Sequence, residues 1–498
     1  MKNLGTTGYT VFDDVGRAVA SGSGAAAAPA ATGSVHAPEG LALHVTETLR
    51  LAAPMSMGHL SYLAMTTATL ILFGWHSAEA LAAGGLAIRI GVSTNILAGV
   101  LLVVGVAISE ARGGGSTDRV AGFYWTGLYA AAGLSIVSFL WMSVAPALLS
   151  VLGQPPGVVA DARDVLDIMR WAEPANLVRL GLMRAVLPAI GLAPILYLLT
   201  PLTLVLYVGF ALALIGGHAG FPEFGWLGVP LAMVVVSWIV ALVMLAVVHL
   251  GRVRRMLPFV PPRIGALRAI LGRGFPIGVM QGVDGIFYLA VTLAMGQFGA
   301  AALAAHQIVL NFGTAAYALA ASCGDAAALR ISFRRGAHAY SDARLAGIVA
   351  ITMGIGSMAL AALAVALMPM VFVGIFIDVT AGANAATVAT AATLAPLAAI
   401  FIFSDGFYGT GIGALRGLDD NRFAMMAVIL VYFGFALPLG FGLGYWQGLG
   451  AQGIWIGIVC GAAAIGLALV GRYWRKSRAM ALRHAPLADA ATPVEAIS

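Results

Sequence analysis

GFPIGVMQGVDGIFYLAVTLAMGQFG, from Gly274 to Gly299, is an apolar run of membrane-crossing length with an acid, Asp284, inside it. A helix needs about 20 residues to cross the hydrocarbon core of a bilayer. A charge at that depth costs roughly 2.5–3.5 kcal/mol on insertion scales, so such an acid is expected to face a protein interior and to handle protons, ions or substrate. The next residues, AAALAAHQIVLN (Ala300 to Asn311), open a second apolar helix.

The rest of the chain has the same character. It is 498 residues long, 60% hydrophobic and only 10% charged, with a mean hydropathy of +0.94. Soluble domains carry about 25% charged residues. The apolar runs are continuous and do not alternate every second residue, which excludes a transmembrane barrel. The expected fold is an all-α polytopic membrane protein with twelve transmembrane helices. They are placed near 50–74, 80–110, 120–146, 163–186, 189–216, 225–250, 268–297, 301–331, 344–375, 383–413, 421–445 and 450–472, with breaks read from Gly, Pro and charge. The fourth stands out, because Arg170, Glu173, Arg179 and Arg184 are dense for a lipid-facing span.

The net charge of +6 does not point to nucleic acid, because the basic residues sit in short loops beside apolar helices. Arg112 and Arg119, the 251–273 arginines, Arg334 and Arg335, and Arg416 and Arg422 all fall on one side of a twelve-helix topology. The positive-inside rule makes that side, with both termini, cytoplasmic. The tail 1–44 is rich in Ala, Gly, Ser and Thr, does not read as a cleaved signal peptide, and is expected to be disordered, as is 475–498. Cys323 and Cys460 lie in apolar segments with no metal-ligand spacing and read as small core residues. The high Ala, Gly and Arg content fits a bacterial chain of the inner membrane.

The segment 251–267 divides the chain into an N-lobe (45–250) and a C-lobe (268–474) of six helices each. From Pro54 (PMSMGHLSYLAMTTATLILFGWHSAEALAAGGLA) and from Pro276 (PIGVMQGVDGIFYLAVTLAMGQFGAAALAAHQIV) the same order recurs: an early proline, an FG break, then xALAA. Equivalent loops fall on the same side, so the lobes are expected to be pseudo-symmetric about an axis along the membrane normal.

GFPIGVMQGVDG with AALAAHQI, SDGFYGTGIGALRGLDDNR (Ser404 to Arg422), GLGAQGIWIGIVCG (Gly448 to Gly461) and GFPEFGWLGVPLAMVVVSW (Gly220 to Trp238) together resemble the multidrug and toxic compound extrusion (MATE) family, in its NorM-like branch, over about residues 45–475. The resemblance implies export of organic cations or other amphiphiles, coupled to inward flow of protons or sodium, with no further cofactor. It also implies a C-lobe coupling site at Asp284 and at Asp405, the acid before the LRG motif. The N-lobe departs from the family pattern. Thr69 stands where an aspartate is expected, the stretch Thr200 to Gly217 lacks the usual Asn, and Arg89 appears in the second helix.

Desolvation favours the neutral form of a carboxyl, and a second acid nearby favours it further. Proton and organic cation would then compete for Asp284 and Asp405, which couples their opposing flows. Packing between helices is the plain alternative for either acid. Gln281 lies one turn before Asp284 and is expected to line the same cavity, with His306, Gln307, Arg89 and Thr69 as further candidates. Asp325 and Arg330, five residues apart, are a candidate gating or structural pair, as are Arg89 and Glu173. Met55, Met57, Met65, Met280 and Met295 are either an adaptable wall or core filling. Pro54, Pro188, Pro194 and Pro276 are expected to bend helices.

The leading expectation is therefore a monomeric, proton-driven antiporter for a small amphiphile, with sodium as the other candidate ion. An exporter of an anionic or zwitterionic metabolite, such as a siderophore or lipid-linked precursor, is the second reading. A membrane-embedded lipid-modifying enzyme is a third. No GxxxxGK[ST], HExxH or GxSxG motif is present to drive export by ATP or to carry out catalysis.

Overall fold

The computed structural model describes residues 40–91, 93–151 and 156–484. Twelve helical segments follow one another. The N-lobe holds α1 (Leu41–His76), α2 (Ala78–Gly91 and Ser93–Gly113), α3 (Thr117–Val151), α4 (residues 156–189), α5 (Pro194–Gly216) and α6 (Gly225–Leu250). The C-lobe holds α7 (Ile264–Gln297), α8 (Ala300–Gly336), α9 (Tyr340–Leu367), α10 (Ala385–Gly417), α11 (Asn421–Trp446) and α12 (Gly450–Arg483). Ten of them are long and apolar enough to cross a membrane. The other two are α4 and α8, whose charged residues point inward: Glu173 is 2% exposed, and Arg179 and Arg330 are 7% exposed. Leucines and valines such as Leu198, Val205, Leu242 and Leu360 are exposed on the outside of the bundle, where lipid would cover them.

Several boundaries differ from the sequence reading. The tail expected to be disordered from 475 continues α12 to Arg483, and α1 already begins at Leu41; the rest of both tails lies outside the described residues. The ninth helix stops at Leu367, because Pro369 cannot supply a helical N–H, and a short helix, Pro369–Gly374, follows. Pro194 starts α5 at its first turn and does not bend a helix, whereas Pro54 and Pro276 lie inside α1 and α7. The connection between the lobes is pinned to α3. The Trp125 indole N–H donates to the Pro258 carbonyl at 2.9 Å, and the Tyr129 hydroxyl to that of Val260 at 2.9 Å.

The C-lobe is built around α10, which packs against α8, α9 and α12. Its contact with α8 is backbone on backbone, and a Cβ on Gly413 would overlap the carbonyl of Gly324. Gly413→Ala should therefore cost about 1–3 kcal/mol or more through overpacking, read as a clear fall in the unfolding midpoint of the detergent-solubilised protein. Gly356→Ala in α9, with open space around it, is the control and should be neutral or stabilising by up to ~1 kcal/mol. Equal midpoints for the two variants would mean that this close approach is not tight.

The lobes meet through α1 and α2 on one side and α7, α8 and α9 on the other. Gly274 of α7 lies so close to α2 that a Cβ would overlap the Val100 carbonyl.

Candidate functional site

Close helix packing places the acids of the C-lobe: Asp325 follows Gly324, where α8 meets α10, and Asp405 precedes Gly406, where α10 meets α9. Asp284, on α7, accepts the Tyr408 hydroxyl of α10 on both carboxylate oxygens, at 2.7 and 2.9 Å. Asp405 lies one turn before Tyr408, is 6% exposed, and has no hydrogen-bond partner for its carboxyl among the described residues. It lies within electrostatic range of Asp284. Four tyrosines from four helices surround the two acids: Tyr288 (α7), Tyr317 (α8), Tyr408 (α10) and Tyr432 (α11). Tyr317 stacks on Tyr408 with centroids 6.3 Å apart. Hydroxyls can hold a carboxyl in either protonation state, as donor to the ionised form or acceptor from the neutral one.

Among the described residues the N-lobe has no such pair. Thr69 is buried and shares a 2.7 Å hydrogen bond with Tyr207 of α5, so the residue standing in place of the expected aspartate is paired with a second neutral hydroxyl. Glu173 accepts the Ser138 hydroxyl at 2.5 Å, and Ser138 in turn lies 3.0 Å from the Thr94 hydroxyl. It does not pair with Arg89, which is exposed on α2 and makes no ion pair among the described residues.

The expected pairing of Asp325 with Arg330 is also replaced. Asp325 takes Arg416 of α10 at 2.7 Å, Arg184 of α4 at 3.3 Å and His59 of α1 at 3.5 Å. His59 and Arg184 are themselves in contact. One carboxylate of the C-lobe thus gathers two side chains of the N-lobe and one of its own. Arg330 turns to α1 instead, donating to the His44 carbonyl and the Thr48 hydroxyl, both at 2.6 Å. The Ser109 hydroxyl donates to the Leu329 carbonyl at 2.7 Å, and Arg335 lies 3.5 Å from Glu110. These ties between the lobes gather at the end of the molecule that carries the arginine-rich loops.

Directly above this seam lies a cavity of about 580 Å³ between the lobes, lined by His59, Tyr62, Asn95, Arg184 and Gln281 among others. Gln281 lines it, facing α2, but Asp284 turns to Tyr408 and is not among its lining residues, so the two do not share this cavity as the sequence reading expected. Met55 and Met65 line an adjoining N-lobe pocket, whereas Met280 and Met295 are buried core. His306 is buried against Trp455 and hydrogen-bonds Thr292 at 3.3 Å. Gln307 is half-buried, and its carbonyl accepts from Asn311. Neither lines the cavity between the lobes. The sequence reading did not single out His59, Arg184 as a lobe tie, or the tyrosine ring. Tyr408 stood inside a quoted motif, but a tyrosine in an apolar run gives no sign of its hydroxyl's partner.

The sequence pattern of the MatE family matches residues 54–213 and 276–441 separately, so its two copies begin at Pro54 and Pro276. The chain belongs to the MatE family. It is similar to the probable multidrug resistance protein NorM of Burkholderia pseudomallei, 36% identical over 90% of this chain and 96% of that one. It also resembles the multidrug resistance protein NorM of Burkholderia vietnamiensis, 35% identical over 90% and 98%. Solved MATE structures share its fold. A MATE in the bent conformation superposes with a TM-score of 0.80 at 16% identity, covering 90% of this chain and 99% of that one. The Vibrio cholerae MATE transporter VcmN gives 0.77 at 19% identity, covering 89% and 99%. This MatE chain is a multi-pass transporter of two six-helix lobes, and membership sets aside the enzyme reading.

Proposed function

We propose that this chain is an antiporter that expels amphiphilic organic compounds from a bacterial cell, driven by proton entry through Asp284 and Asp405. The observation that carries the reading is the buried acid pair inside the tyrosine ring, with Asp405 lacking any hydrogen-bond partner among the described residues. An unpartnered ionised carboxylate in such a place is costly, whereas a protonated one or one beside a bound cation is not. Proton and substrate cation then exclude each other at the same oxygens, and linkage turns that exclusion into exchange.

Both termini and the arginine-rich loops are assigned to the cytoplasm. On that assignment the seam at Asp325 closes the cytoplasmic mouth, and the cavity above it faces outward. Separation of the seam with closure of the far end would present the cavity to the cell interior, the alternating access expected of paired lobes.

The test is flux into proteoliposomes holding the purified chain, with a fluorescent organic cation such as ethidium as probe. An imposed pH gradient should drive accumulation, and a sodium gradient at constant pH should not. Drive by sodium alone would reassign the ion at the two acids. No movement under either gradient would overturn the antiporter reading.

A further inference from the structure

Arg179 lies in the N-lobe on a π-helical stretch of α4, Leu177–Met183. Such stretches interrupt an α-helix at a cost and recur at functional sites. Arg179 is 7% exposed and lines two adjoining pockets, one with Tyr62, Asn95, Asn176 and Glu173 and another with Arg184. A guanidinium cannot shed its charge in a protein. Yet Arg179 makes no ion pair among the described residues. One nitrogen donates to Asn176 at 3.2 Å, and Nε has no acceptor. The nearby carboxylate, Glu173, accepts the Ser138 hydroxyl at 2.5 Å and makes no ion pair with Arg179 among the described residues. Asn176 is in turn held by Ser237 at 2.9 Å, so the arginine is oriented without being neutralised.

A buried charge kept without a partner is expensive, and this one faces the open space of the N-lobe. Resting on the transporter reading above, we propose that Arg179 is the recognition site for an anionic group of the transported compound, a carboxylate or similar planar oxyanion. The planar fork of a guanidinium matches two oxygens of such a group. The substrates then include acidic amphiphiles, and the Asp284 pair handles the coupling cation rather than serving as the sole substrate contact.

The experiment compares two probes that share one fluorophore, dansylglycine and its neutral amide, binding to the full chain in lipid nanodiscs. The wild type should bind the acid at least about tenfold more tightly than the amide. In Arg179→Gln that ratio should fall to about one, and Arg179→Lys, which keeps the charge but loses the fork, should lie between. A wild-type ratio of one, or no binding of the acid into the millimolar range, overturns the proposal whether or not a variant folds. So does a ratio that Arg179→Gln leaves unchanged. Flux of both probes in proteoliposomes separates the two readings. A preserved acid preference with no gradient-driven flux breaks the antiporter reading, whereas driven flux without that preference breaks only the assignment of Arg179.

Discussion

Asp284→Asn should reduce gradient-driven transport to the leak of protein-free liposomes while leaving the protein folded and in the membrane. The amide nearly matches the carboxylate in size and can still accept the Tyr408 hydroxyl through its oxygen, so the packing of α7 on α10 is kept. What disappears is the ability to take up and release a proton, and with it the competition that links the two flows. Asp284→Glu keeps the group on a longer stem inside the tyrosine ring and should retain part of the flux. Asp405→Asn should also uncouple. The measurement is initial flux at a fixed pH gradient, normalised to protein incorporated. An Asp284→Asn variant that keeps more than half the wild-type rate would remove this acid from the coupling path.

The second large effect is at the seam. Asp325→Asn should open the arginine-rich end, because it leaves Arg184 and Arg416 facing each other without the carboxylate between them. Removing one partner from a buried ion pair costs about 3–5 kcal/mol. The contacts to Arg184 and His59 cross between the lobes, so their share of that cost falls on the closed state, while the share from Arg416 falls within the C-lobe. A loss of 3 kcal/mol would shift the ratio of closed to open forms about a hundredfold.

Ser109, 4% exposed beneath the seam, offers the readout. In a background with Cys323 and Cys460 replaced, Ser109→Cys should be protected from a membrane-impermeant thiol reagent. With Asp325→Asn added, it should be labelled at least about tenfold faster. Equal protection in both would show that Arg330 and the α2–α7 backbone contact hold the mouth shut without Asp325.

Much of this was legible in the chain itself. Continuous apolar runs of about 20 residues leave the backbone only one way to satisfy its hydrogen bonds in lipid, so the helical spans and their number could be counted. Arginine placement marked one end, and the recurrence from Pro54 and Pro276 marked the two lobes, which the family match reproduces. Asp284 stood out because an acid is rare at that depth, whereas Asp405 was pointed to by the family resemblance of the motif around it.

The pairing of charges was not legible, and the reason is geometric. Helical spacing relates residues within one helix, yet every decisive partner here comes from another. Asp325 reaches α1, α4 and α10 and not Arg330; Glu173 meets the Ser138 hydroxyl and not Arg89; Asp284 meets Tyr408, 124 residues away. Composition and periodicity determined that this is a two-lobed helical membrane protein with acids in its interior. Only the packing of α8 on α10 and of α2 on α7 decided which of those charges meet, because glycine-lined contacts set the helix register and no stretch of a single helix encodes it.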